Sequence, residues 1–156
     1  MAGRFSVVAL DPGADRSRFE CGVETLNRYF KTQVSQDIKR RVTACFTALD
    51  ANGWVAGYYT LASASILLTD LPENLAKKLP RYPNVPAVRM GRLAVDQSYK
   101  GKGLGAALLA DALRRAATAE IAAYAFVVDA KDESAAEFYA DRKSTRLNSS
   151  HITISY

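Results

Sequence analysis

The spacing of apolar positions changes several times along the chain, and each change marks an element. "FSVVAL" (5–10) is a short apolar run that predicts a strand. Leu26, Phe30, Val34 and Ile38 then recur every fourth residue, the stripe of an amphipathic helix or of two short helices in succession. "VTACFTALDANGWVAGYYTLASASILL" contains two β-rich runs joined at Asn52-Gly53, a dipeptide that favours a tight hairpin. Prolines punctuate the stretch from Pro72 to Pro86, which predicts a loop with room for one short helix at "ENLAKK". The pattern then alternates: strand at 87–96, helix at 103–119, buried strand at 123–130, helix at 132–140. Helices between the later strands imply crossovers and parallel pairing there, so the fold class is α/β (α+β), a mixed central sheet flanked by helices.

Composition narrows the chemistry. The 156 residues suffice for one core and are too few for two comfortable domains, and no 18-residue apolar run exists to span a bilayer. The amino-terminal stretch lacks the longer apolar core and cleavage site of a secretory signal, so a cytoplasmic location is expected. Cys21 and Cys45 are too few for a disulfide framework and lack companions for a metal site, so no metal is expected and both read as buried thiols. The sole histidine is His151, close to the carboxyl terminus, which argues against Ser-His-Asp or Cys-His chemistry elsewhere. The net charge is +5, and its placement matters more than its size. Arg28, Lys31, Lys39, Arg40 and Arg41 cluster on one helical region, and Arg81, Arg89 and Arg92 precede a glycine-rich stretch. Such clusters suit the phosphates of a nucleic acid, and on composition alone they suit a solvated helix face equally well.

That glycine-rich stretch, "RLAVDQSYKGKGLGAALLADAL", carries the clearest chemistry. A strand runs into a loop containing Gly101, Gly103 and Gly105, and a helix opens inside the loop. Glycines let backbone N–H groups converge on an anion, and a helix N-terminus adds partial positive charge, so the expected structure is a phosphate cradle reinforced by Lys100 and Lys102. A Walker A loop is excluded because Lys102 is followed by Gly103 and Leu104. A dinucleotide fingerprint counted from Gly101 and Gly103 meets Ala106 where its third glycine belongs.

"LAVDQSYKGKGLGAALL" resembles the pyrophosphate-binding motif of the GCN5-related N-acetyltransferases (GNAT), Q/R-x-x-G-x-G/A, with Lys100 at the Gln/Arg position and Gly103 and Gly105 at the glycine positions. Lysine there is a departure, a mild one because the family's contact is made mainly by backbone N–H groups. "FECGVETLNRYF", "GWVAGYYTLASAS", "VRMGRLAVD" and "AKDESAAEFY" together are similar to the GNAT toxins of bacterial type II toxin–antitoxin pairs, and the resemblance covers nearly all of residues 5–140.

The resemblance implies acetyl-CoA as acetyl donor, its pantetheine arm on the strand of Leu93, Ala94 and Val95, and its pyrophosphate on Lys100, Gly101, Lys102, Gly103, Leu104, Gly105 and Ala106. Attack by an amine expels CoA as a thiolate, which a nearby phenol can protonate; Tyr139 is the candidate acid. Within "SAAEFYA" Phe138 suits the core while Tyr139 leans toward the cleft. No carboxylate among Asp96, Asp129 and Glu137 stands out as a general base. The toxins acetylate the α-amino group of aminoacyl-tRNA, and an α-amine has a pKa of roughly 7.7–8.0, so no strong base is required. A tRNA acceptor assigns Arg28, Lys31, Arg40, Arg41, Arg89 and Arg92 to its phosphates. A ribbon-helix-helix antitoxin is the implied partner, a homodimer a further candidate assembly. The alternatives are a GNAT enzyme for a small amine or a protein N-terminus, and a non-catalytic CoA-binding module.

The end of the chain follows a different pattern. "DRKSTRLNSSH" is polar and without period, and resembles one reading frame of a short-read sequencing adapter. The expected organisation is therefore a GNAT domain at 1–140, truncated at its carboxyl end, and a non-native read-through tail at 141–156. The strand hairpin that completes a GNAT sheet is expected to be missing, leaving the strand at 123–130 with an open edge. "HITISY" alternates like a strand and is able to pair there by accident.

Overall fold

The computed structural model describes residues 5–129 and the strand segments at 144–146 and 151–154. The element order is β1 (Ser6–Ala9), α1 (Glu24–Arg28), a π-helical turn (Tyr29–Gln33), α2 (Val34–Lys39), β2 (Ala44–Leu49), β3 (Val55–Leu67), α3 (Glu73–Ala76), β4 (Asn84–Val95), α4 (Leu104–Thr118), β5 (Ala125–Asp129), β6 (Ser144–Arg146) and β7 (His151–Ile154), with single 3-10 turns at Leu68–Asp70 and Gln97–Tyr99. The described residues group into two compact units, one within Met1–Ala62 and Gly91–Ala112, the other within Ser63–Met90 and Leu113–Tyr156. β3, β4 and α4 each contribute a segment to both.

In the first unit the strand order is β1-β2-β3-β4. β1 pairs antiparallel with β2 from Ser6↔Leu49 to Ala9↔Phe46, and β2 pairs antiparallel with β3, with an irregularity at Ala48/Leu49. The β2–β3 connection forms where Asn52-Gly53 predicts it. Gly53 has φ +84°, and the Asp50 carboxylate accepts the backbone N–H groups of Asn52 and Trp54 at 2.8 and 3.0 Å, so a side chain substitutes for solvent inside the turn.

The stripe of Leu26, Phe30, Val34 and Ile38 is buried or partly buried against this sheet. A strict four-residue spacing outruns the 3.6 residues of an α-helical turn, and the wider π turn takes up the excess, keeping all four on one face. Aromatic packing fixes the segment: Phe30 stacks on Tyr58 with centroids 4.2 Å apart, Phe19 meets both rings edge-on, and the Tyr58 hydroxyl donates to the Leu26 carbonyl at 2.8 Å. Each such ring pair contributes about 0.5–1.5 kcal/mol beyond area burial. Residues Leu104 to Ala112 of α4 bring Leu104, Leu108, Leu109 and Ala112 into buried positions.

In the second unit the order is β3-β4-β5-β7-β6. β4 and β5 run parallel from Ala87↔Ala125 to Met90↔Val128, the crossover pairing that alternating strands and helices imply. Ile66, Leu71, Val85, Ala87, Ala125 and Val127 form its core. The pairing that the alternation of "HITISY" allows is formed here. β6 and β7 pair antiparallel with each other, and β7 pairs antiparallel with β5 from Phe126↔Ile154 to Asp129↔His151. β5 thus carries a backbone ladder on each side, β4 on one and β7 on the other.

Candidate acyl-donor site

β4 ends at Val95, and everything the sequence assigns to the phosphate cradle follows within one loop. Asp96 caps the 3-10 turn Gln97–Tyr99 by accepting the Ser98 N–H at 2.9 Å through Oδ1, while its Oδ2 accepts the N–H of Glu20 at 2.9 Å. Asp96 is buried, so these two bonds to backbone donors are what make a carboxylate tolerable there. The Gln97 N–H in turn donates to the Glu20 carbonyl at 2.8 Å, and the Lys100 ammonium donates to the Cys21 carbonyl at 2.6 Å. The segment 20–22 is itself held by Asn27, whose amide oxygen accepts the Cys21 N–H at 2.9 Å and whose amide nitrogen donates to Glu20 at 2.6 Å. The loop is thus braced by residues far away in sequence, at "FECG".

Beyond this brace Gly101 and Gly103 both adopt positive φ, +78° and +81°, and no atom lies within 4 Å of a Cβ built on either. Only glycine takes this conformation without cost, and the space before it is open. The Gly103 carbonyl accepts the Ala107 N–H at 3.1 Å, which makes Gly103 the residue preceding the first helical position of α4. The N–H groups of Leu104, Gly105 and Ala106 therefore lie in the first turn, where an α-helix provides them no acceptor of its own. With fifteen residues of aligned peptide dipoles behind it, this end favours negative charge. The loop has what a pyrophosphate would need: open space, glycines at positive φ, and first-turn N–H groups with no helical acceptor. Lys100 differs from expectation in spending one ammonium hydrogen on Cys21, and Lys102 lies over the Tyr99 ring at 5.7 Å.

Leu93, Ala94 and Val95 lie in the same unit as the cradle, and the parallel register of β4 with β5 ends earlier, at Met90. Gly57 on β3 makes a close approach possible here. A Cβ on it would come within 2.9 Å of both the Ala94 carbonyl oxygen and Leu108 Cδ1, so the absent side chain lets β3, β4 and α4 meet.

The structure separates the basic residues that the sequence groups together. Arg28, Lys31, Arg40 and Arg41 are exposed, Arg28 in a long 3.9 Å contact with Glu24, and Arg41 occupies a left-handed position at φ +60° just after α2. Arg92 lies flat on the Tyr29 ring, its Cζ 3.4 Å from the centroid. Arg89 belongs to the other unit and is bound to Asp129 at 2.7 Å. Tyr139, the expected acid, lies outside the described residues, as does the helix expected at 132–140. Cys21 and Cys45 are buried free thiols, and burial pushes Cys45 up to about 12. Among the described residues there is no cluster of three or more His, Cys, Asp or Glu able to hold a metal, and no helix long and apolar enough to cross a membrane.

Sequence reasoning missed the brace and the Tyr29–Asp37 pair. The first was visible as Asp96-Gln97-Ser98 after a strand, an aspartate placed to cap a turn. The second joins positions eight apart through a π turn and has no signal in ordinary helical spacing.

A sequence profile of the acetyltransferase (GNAT) family matches residues 18–142. The chain belongs to this family. It is similar to a probable toxin TacT of Sinorhizobium fredii, 32% identical over 118 residues, which cover 74% of this chain and 65% of the relative. A tRNA-acetylating toxin of Mycobacterium tuberculosis is 31% identical over 141 residues, covering 89% and 83%. The chain thus spans slightly under two thirds of the first relative's length and more of the second. Among solved structures, AtaT complexed with acetyl-methionyl-tRNAfMet superposes with TM-score 0.88 at 29% identity, covering 97% of this chain and 94% of that one. AtaTR bound with AcCoA gives 0.83 at 28%, covering 98% and 94%, and an AtaT variant bound to the C-terminus of the antitoxin AtaR gives 0.81 at 26%, covering 97% and 93%. The fold of this GNAT chain is accordingly the mixed α/β one expected from its pattern.

Proposed function

We propose that this GNAT chain is a toxin that transfers an acetyl group from acetyl-CoA to the α-amino group of an aminoacyl-tRNA, so blocking translation. The observation that carries the reading is the braced cradle at the start of α4, on the same unit as the β4 segment expected to pair with pantetheine. When bound, acetyl-CoA supplies the acetyl group as a thioester, already activated toward an amine. The N–H groups of residues 101–106 hold its pyrophosphate, and the backbone of Leu93, Ala94 and Val95 orients the pantetheine arm. Tyr139 donates its phenolic proton to the departing sulfur, whose pKa of roughly 8.5 makes a moderate acid sufficient. The incoming α-amine, with a pKa of roughly 7.7–8.0, needs only water or a carbonyl to take its proton. Exposed Arg28, Lys31, Arg40 and Arg41 lie within one short stretch of chain, which suits them to tRNA phosphates.

The acceptor comes from the relatives, two of which carry tRNA acetylation in their names or ligands. The same likeness supports an antitoxin partner; the ribbon-helix-helix class is what the sequence resemblance implies for it, and a charged-tRNA acceptor is in keeping with a cytoplasmic location. The test is incubation with acetyl-CoA and charged tRNA, followed by detection of N-acetylated aminoacyl ends. Transfer to spermidine with none to tRNA would overturn the toxin reading, and a Tyr139→Phe variant with full activity would remove Tyr139 from its role.

A further inference from the structure

Arg92 is half-buried on β4, immediately before Leu93, and it belongs to no ion pair or hydrogen bond among the described residues. It lies over the face of Tyr29, at 3.4 Å from Cζ to the ring centroid. A guanidinium lying flat on an aromatic ring keeps its plane fixed while all five N–H donors point outward along its edges. The ring is itself fixed. The Tyr29 hydroxyl donates to Asp37 Oδ2 at 2.7 Å, and Gln33 donates to Asp37 Oδ1 at 3.1 Å. Both carboxylate oxygens therefore already accept a donor from within the helical segment. The π turn lets positions 29, 33 and 37 meet in this way while Phe30 and Val34 remain in the core. Arg16, Asp37 and Arg40 are charged neighbours of the pair; Asp37 attracts Arg92, and no ion-pair contact joins the two among the described residues.

We infer that Tyr29, fixed by Asp37, is a positioning residue that holds Arg92 as a preoriented seat for one phosphodiester of the RNA acceptor. The inference rests on the RNA-acceptor reading above and deepens it: it singles out Arg92 from the basic residues as a fixed fork, where Arg28, Lys31, Arg40 and Arg41 are exposed charges on flexible stems. Tyr29 touches no substrate. Its effect runs through the orientation of Arg92.

The test uses the full chain and three variants, Arg92→Lys, Tyr29→Leu and Tyr29→Phe, with the KM for acetyl-CoA as the check that each is folded. A charge-assisted contact to phosphate corresponds to about a tenfold effect or more. Arg92→Lys and Tyr29→Leu should each raise the KM for charged tRNA about tenfold, with kcat and the KM for acetyl-CoA little changed, and the double variant should be no weaker than the singles. Tyr29→Phe, which keeps the ring, should restore most of the affinity lost in Tyr29→Leu. The salt dependence of RNA binding should lose about one phosphate contact in Arg92→Lys only if the side chain's fork, and not its charge alone, makes the contact. An unchanged KM for charged tRNA in Arg92→Lys would overturn the seat, as would an equal loss with a phosphate-free amino-acid ester as acceptor. A raised KM for acetyl-CoA alone would instead assign Arg92 to a donor phosphate and overturn the inference. If the unaltered protein acetylates no charged tRNA, the reaction reading falls. Binding of an RNA oligonucleotide ending in CCA then decides the seat independently: about tenfold weaker binding by Arg92→Lys sustains it, and equal binding removes it.

Discussion

At Gly57 one methyl group would meet a backbone carbonyl and a leucine methyl, both at 2.9 Å. Neither the β4 backbone nor buried Leu108 has room to retreat, so Gly57→Ala should cost about 1–3 kcal/mol by overpacking, measured as a lower denaturation midpoint. Asp50 and Tyr99 make a different kind of residue-scale prediction. The Tyr99 hydroxyl donates to Asp50, which holds the carboxylate below its usual pKa and the phenol above its own. For the aspartate the stabilisation is present above the ordinary value near 4 and is lost as pH falls through the depressed one. For the tyrosine it is present below about 10 and is lost as pH rises through the raised value. Tyr99→Phe should therefore flatten both limbs of the stability–pH profile, most visibly the acid one, in melts taken across pH. None of these contacts was legible in the sequence. Gly57 reads there as an ordinary strand glycine, and the partners Asp50 and Tyr99 lie 49 positions apart.

At the scale of elements, period and punctuation carried most of the fold. The hairpin at Asn52-Gly53, the short helix after Pro72, and α4 opening within "GKGLG" all stand where spacing and turn residues put them. The π turn did not announce itself as such, although a strict spacing of four was its trace. The geometry of the glycine-rich loop was legible because its pattern is local: glycines, a strand end and a helix start adjoin in the chain. The cluster of Tyr29, Asp37 and Arg92 was not, because Asp37 reaches Tyr29 through the π turn and Arg92 reaches it only through tertiary folding. The cradle also sets an element-scale prediction. Gly103→Ala forces an L side chain into φ +81°, at about 1–2 kcal/mol, and shifts the first N–H groups of α4. The KM for acetyl-CoA should rise about tenfold, as for one lost charge-assisted hydrogen bond, in initial-rate kinetics with acceptor saturating.

On the scale of the whole molecule, the carboxyl-terminal strands decide how the sheet ends. We propose that residues 141–156 are read-through sequence, and the family match, which stops at 142, supports this. β7 nonetheless pairs with β5 from Phe126 to Asp129. A chain ending at residue 140 should therefore expose that edge and aggregate at concentrations where the full chain remains dispersed, which light scattering would record. The pairing of β7 with this edge has a physical origin: a strand pairs with a free edge whatever its history, because the ladder's hydrogen bonds belong to the backbone. The hairpin turn at Asn52-Gly53 offers an opportunity of another sort. Trp54 is the sole tryptophan of the chain, and its backbone N–H shares the Asp50 carboxylate with the hydroxyl of Tyr99, the residue before Lys100. Arg18 stacks on its indole at 3.8 Å. The protein thus carries a built-in optical reporter: adding acetyl-CoA should change the emission of Trp54 and titrate the donor site without label, acceptor or turnover, whereas a flat titration would mean that the loop does not respond to the donor.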